Sequence, residues 1–130
     1  MKTLLNAVLC LLACGALLPA HHGTSNYENT TKTITLSGVV TEFVWANPHA
    51  WLYVDVVDAG TKKVTNWAVE LNSPNALMRA GWTRNTLSIG DMITVESSLA
   101  KDGSPTGNAR SVVTSTGQKL FAGSSQDATP

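Results

Sequence analysis

Cysteine is confined to Cys10 and Cys14 near the start of the chain. From Ala20 onward there is none, so disulfides, thiolate ligands and thiol nucleophiles are excluded from that part. Charge is also sparse and evenly matched, with 14% charged residues, nine basic and nine acidic. The basic residues are spread singly from Lys32 to Lys119, and only Lys62 and Lys63 are adjacent. That leaves no basic face of the kind a nucleic-acid binder needs. Histidine is scarcer still, at three: His21, His22 and His49. No glycine-rich phosphate loop, internal repeat, Ser/His/Asp set or carboxylate pair is visible, and the chain is read as a non-enzyme.

The longest apolar run, Leu4 to Leu18, follows Lys2 and ends at Pro19-Ala20. It is too short and too rich in small residues for a membrane span. A charged start, an apolar centre and a small residue at the cleavage position describe a secretory signal over residues 1–20, removed after Ala20. The protein is therefore expected in the periplasm or outside the cell. Leu11-Leu12-Ala13-Cys14 offers a competing reading as a lipobox, in which Cys14 would become a lipidated terminus; the leucine after the first position fits that pattern poorly.

What remains is enough for one domain, since 43% of residues are hydrophobic and a chain of this length can bury a core without staples. Residues 21–32 are polar and turn-rich, an extended arm whose fixed points are Tyr27 and the two histidines. A long first strand is predicted from Thr33 to Trp45, with the parity of bulky residues changing after Gly38, which suggests a bulge there. Strands Ala50 to Val57 and Val64 to Leu71 follow. Reading Gly60-Thr61 between them as a two-residue type II′ loop pairs Val54 with Trp67, Leu52 with Val69, Ala50 with Leu71 and Asp58 with Lys63. Val54, Trp67, Leu52 and Val69 should then be buried, and Trp51 and Glu70 substantially exposed on the opposite face.

Ser73-Pro74 at the start and Gly81 past the end mark a short helix. A fourth strand is expected over Met92 to Leu99, a loop over Lys101 to Gly107, a fifth strand over Ala109 to Thr114 and a last one over Lys119 to Phe121. The domain would run over residues 33–122, with a disordered tail at 123–130. This element order is that of a mainly β, OB-like Greek-key barrel of five to six strands, with one short helix between strands three and four. A flat meander capped by the helix is the alternative.

The stretch around which the rest is organised is Trp45-Ala46-Asn47-Pro48-His49-Ala50-Trp51, a tight turn joining the two longest strand-like runs. In an OB barrel, ligands use the face of strands two and three with the adjoining loops, which here offers Asn47, Trp51 and Tyr53. In the argued register His49 and Glu70 are diagonal neighbours, roughly 7–8 Å apart at the backbone. Cleavage after Ala20 would give His21 a free α-amine, and amine plus imidazole form a chelate that His49 could complete from the barrel rim. The arm, about eleven residues between His22 and the first strand at roughly 3.3 Å each, is long enough to return there. If Ala20 is retained, Ala20-His21-His22 is a different chelate for the same ions. Nitrogen and oxygen donors without sulfur favour Cu(II), Ni(II) or Zn(II), so the metal set is His21, His22, His49 and Glu70. The competing readings are a solvated terminus, His49 capping a strand near Asn47, and Glu70 paired with Arg79 or Lys101. In that case the Trp51/Tyr53 face would dock a periplasmic protein or small ligand without metal.

Taken together, Ala20-His21-His22-Gly23, Tyr27-Glu28, Leu36-Ser37-Gly38-Val39-Val40, Trp45 to Trp51, Asn66-Trp67, Glu70-Leu71, Ser73-Pro74-Asn75, Gly81-Trp82, Gly90-Asp91, Lys101-Asp102-Gly103 and Phe121-Ala122-Gly123 resemble a bacterial family of small secreted proteins, domain of unknown function 6152. The resemblance spans nearly the whole chain after Ala20 and implies a periplasmic or extracellular location. It assigns no biochemical role.

Overall fold

The computed structural model describes Tyr27 and residues 33–123. The expected signal segment, His21, His22 and the rest of the expected arm, and the residues beyond Gly123 lie outside the described residues. Six strands and one helix follow in chain order: β1 (Ile34–Val44), β2 (Trp51–Val57), β3 (Val64–Glu70), α1 (Pro74–Arg79), β4 (Met92–Leu99), β5 (Thr106–Thr114) and β6 (Lys119–Phe121). The sheet order is β3-β2-β1-β4-β5-β6, and a parallel pairing of β3 with β5 closes the first five strands into a barrel. This is the mainly β, OB-like architecture expected from the sequence. β6 lies outside the closure, on β5.

The β2–β3 register is the expected one, with Leu52 opposite Val69 and Val54 opposite Trp67. Leu52, Val54 and Val69 are fully buried, whereas Trp67 is half-buried and packs against the core from its margin. The turn is not the predicted two-residue loop. Asp58 accepts from the backbone N–H of Gly60 and Thr61 and from the Thr61 hydroxyl, and Lys62 takes a positive φ of 63°. Those donors, Thr61 foremost, hold the Asp58 carboxyl below the usual carboxylate range. Asp58 and Lys63 still pair through the backbone. A four-residue loop centred on Gly60-Thr61 leaves the strands in the same phase as a two-residue one, so the register survives the change of turn.

β1 also differs from expectation. Leu36, Gly38 and Val40 are buried in unbroken alternation, and the bulge falls beyond them, between Val40 and Glu42. Gly38 has another role. It sits where β1 passes from its pairing with β4, over Ile34 to Val39, to its pairing with β2, over Val39 to Val44. A Cβ there would collide with the Asp55 carbonyl oxygen and lie 2.8 Å from Val54 Cγ1. The absent side chain lets two strands cross closely and the sheet coil into a barrel.

The helix begins and ends as its sequence dictates. The Ser73 hydroxyl accepts from the Ala76 N–H at 3.3 Å, and Pro74 occupies the first turn. At the other end Trp82 N–H donates to the Leu77 carbonyl and Gly81 N–H to that of Met78, with Gly81 at φ +94°. These are the paired bonds of a Schellman motif. They deliver Trp82 into the core, where it is buried and its indole N–H donates to the Phe121 carbonyl at 2.8 Å.

Candidate functional site

The β2–β3 ladder continues past the named strands, because Leu71 N–H donates to the Ala50 carbonyl and Ala50 N–H to that of Asn72. His49 precedes the bonded Ala50 and lies two residues from Trp51. Trp51 is directly opposite Glu70, so His49 is the diagonal neighbour of Glu70 on the same face, as the register requires. The His49 Nδ1 contacts Glu70 Oε1 directly. The Asn47–Pro48 peptide before it is cis, and Asn47 and Pro48 are exposed.

Glu70 itself overturns an expectation. It is 8% exposed rather than open, because β3 has a second neighbour at that point. β5 begins at Thr106, not Ala109, and its first residues pair Thr106 with Ala68, Gly107 with Val69 and Asn108 with Glu70. Part of the predicted loop is thus the strand that closes the barrel over Glu70. Trp51 is likewise half-buried. From the other side comes Tyr27, which forms an isolated antiparallel bridge with Ala100 and donates its hydroxyl to Glu70 Oε2. One buried carboxylate therefore takes an imidazole on one oxygen and a phenol on the other, and neither Arg79 nor Lys101 pairs with it among the described residues. Such saturation is what a buried charge requires.

Of the residues proposed from sequence, His49, Glu70 and Trp51 come together at this rim. Tyr53 follows two places along the same face, opposite Ala68 and half-buried, and Asn47 stays in the exposed turn. His21 and His22 fall outside the described residues, among which no group of three or more His, Cys, Asp or Glu could hold a metal. Sequence reasoning gave Tyr27 an anchoring role but missed its partner. A strand-end glutamate in phase with a histidine was the available signal, and it becomes informative only once the closing strand is known.

The Tyr27 phenol is pushed far above its ordinary value by burial first, then by its bond to Glu70 and the charges of Glu70 and Asp102. Its hydroxyl stays a donor throughout the neutral range. Because the folded value is raised, the stabilisation is fully present below the ordinary phenol pKa near 10 and is lost as pH rises above it. Alkaline titration of tyrosinate absorbance should show one late-ionising phenol that disappears in Tyr27→Phe. Absence of a late-ionising phenol in the wild type would contradict the contact.

Comparison with known proteins adds a fold and a family. The crystal structure of the mitochondrial single-stranded DNA binding protein Rim1 from S. cerevisiae is similar, with a TM-score of 0.50 at 8% identity, over 65% of this chain and 93% of that one. At that identity the likeness is one of fold. No curated protein matches the sequence. Among the described residues no helix is long and apolar enough to cross a membrane. The profile of the family of unknown function DUF6152 matches residues 8–110, and the chain belongs to that family.

Proposed function

We propose that this small β-barrel is a secreted metal-handling protein, released by cleavage after Ala20, that binds Cu(II) through the His21 amine and imidazole, His22 and His49. The observation that carries this reading is the position of Tyr27. It is seated on Glu70, and Glu70 also holds His49. Tyr27 follows His21 by six positions, so at roughly 3.3–3.6 Å per residue the arm keeps His21 within about 20 Å of Tyr27. An arm of that reach would let His21 meet His49 at the rim, and a tethered donor has a raised effective concentration there. The His49 side chain is 41% exposed, and with Nδ1 turned to Glu70 its Nε2 has no hydrogen-bond partner among the described residues, which suits it to take a ligand. The donors are nitrogen and oxygen, which suits Cu(II), with Ni(II) and Zn(II) as the nearest competitors.

A nucleic-acid role finds no support in the charge pattern. The β2–β3 face carries Asp55 and Glu70 and no lysine or arginine on its outward positions, whereas single-strand binders of this fold need a positively charged groove. The test is a competition titration of Cu(II) into protein beginning at His21. One equivalent should bind, and His49→Ala should weaken it by an order of magnitude or more. Equal weak binding by both would move the reading to an interaction module on the Trp51/Tyr53 face.

A further inference from the structure

We infer that Glu70 is a positioning residue, which fixes His49 as the Nδ1–H tautomer with Nε2 outward and joins that imidazole to the seating of the arm. This deepens the metal reading above and rests on it for its consequence, though not for its geometry. A carboxylate has two oxygens, and in Glu70 each has a protein partner: Oε1 faces His49 Nδ1, and Oε2 accepts from the Tyr27 hydroxyl. Burial between β2, β5 and Tyr27 leaves it little freedom to turn toward an ion at the rim.

The chemistry follows from which ring nitrogen carries the proton. A neutral imidazole that donates Nδ1–H to a carboxylate must present its lone pair at Nε2, and the carboxylate makes that nitrogen a better donor. Without the acceptor, the ring is free to rotate and to exchange tautomers. Tyr27 acts on the same group from the other side. When its hydroxyl occupies Oε2, the arm is tied to Ala100 and Glu70 together. Tyr27 touches no metal in this arrangement, yet losing its hydroxyl should loosen the tether that brings His21 to the rim.

The test has a metal-free part and a metal part. In metal-free protein labelled with 15N-histidine, long-range proton–nitrogen spectra at mildly alkaline pH should show His49 with its proton on Nδ1. Glu70→Gln, which keeps an acceptor oxygen, should retain that tautomer, and Glu70→Ala should lose it. A wild-type His49 protonated on Nε2 would overturn the inference whatever the metal result, and failure to bind Cu(II) with the Nδ1 tautomer intact would overturn only the metal reading. In the metal part, Glu70→Ala should lower Cu(II) affinity about 10- to 100-fold, the range for such supporting groups. In a His49→Ala background the same change should have almost no further effect. Full additivity of the two losses would show that Glu70 acts independently of His49. Tyr27→Phe, a milder change than Glu70→Ala, should lower affinity several-fold with an unchanged Cu(II) spectrum. Wild-type affinity in that variant would sever the link between arm and imidazole. If Glu70→Ala fails to fold, the wild-type His49 tautomer and Tyr27→Phe still decide.

Discussion

Gly38→Ala should destabilise the barrel nearly as much as Gly38→Val, each by about 3 kcal/mol or more, at the upper end of overpacking costs and well above the roughly 1 kcal/mol typical of point mutants. The cause is the first added carbon. A Cβ at this position collides with the Asp55 carbonyl oxygen and lies 2.8 Å from Val54 Cγ1, and Val54 is itself fully buried. A backbone carbonyl within a paired strand cannot swing aside as a flexible side chain would, so relief requires β1 and β2 to part where β1 changes partners. For a domain of this size the loss corresponds to a fall in Tm on the order of 15 °C. A bulge preference would predict otherwise, sparing alanine and penalising only the β-branched residue. Thermal unfolding of both variants separates the two causes, and wild-type Tm in Gly38→Ala would remove the close crossing from the account.

The second large effect concerns the His21 amine. Acetylation of the His21 amine should lower Cu(II) affinity by several orders of magnitude while leaving Tm of the metal-free protein unchanged. The amine is the reason. In the proposed site it supplies one nitrogen of a chelate whose second nitrogen is on the same residue, and converting it to an amide removes its basicity. Protons compete for the same nitrogens, with an ordinary α-amino pKa of about 7.7–8.0 and imidazole near 6.5, so affinity should weaken as pH falls below about 6.5. Equal affinity for acetylated and unacetylated protein would exclude the amine as a ligand.

The parts of this protein legible in its sequence are those set by local chemistry. Ser73, Pro74 and Gly81 announce the helix because a cap, a fixed φ and a positive φ are single-residue requirements. The β2–β3 register is legible for a related reason. Any even loop centred between Gly60 and Thr61 keeps Leu52 opposite Val69, so the pairing was right although the turn was a different one. Gly38 marked the right place for the wrong cause: alternation of side chains cannot distinguish a bulge from a close crossing, and the bulge itself lies between Val40 and Glu42.

The site was less legible because its burial is non-local. Nothing in the neighbourhood of Glu70 says that Asn108 will pair beside it in parallel or that Tyr27 will lie over it. Periodicity along β3 puts Glu70 on the outward face, which is correct. Its exposure is then decided by β5, which begins three residues earlier than strand-forming composition suggests, at Thr106-Gly107-Asn108. Gly107 again has a reason to be small, since a Cβ there would come within 2.7 Å of the Ser98 carbonyl oxygen. The diagonal pairing of His49 with Glu70, by contrast, follows from register alone and is present.

The measurement that bears most directly on the central claim is pulsed electron paramagnetic resonance of Cu(II) bound to protein that begins at His21, compared with His49→Ala. Imidazole nitrogens remote from the metal are detected individually by this method. The wild type should show one more coordinated imidazole than His49→Ala does, at one copper per chain. Identical nitrogen spectra in the two proteins would mean that the barrel contributes no ligand, and that the histidines of the arm hold copper without it.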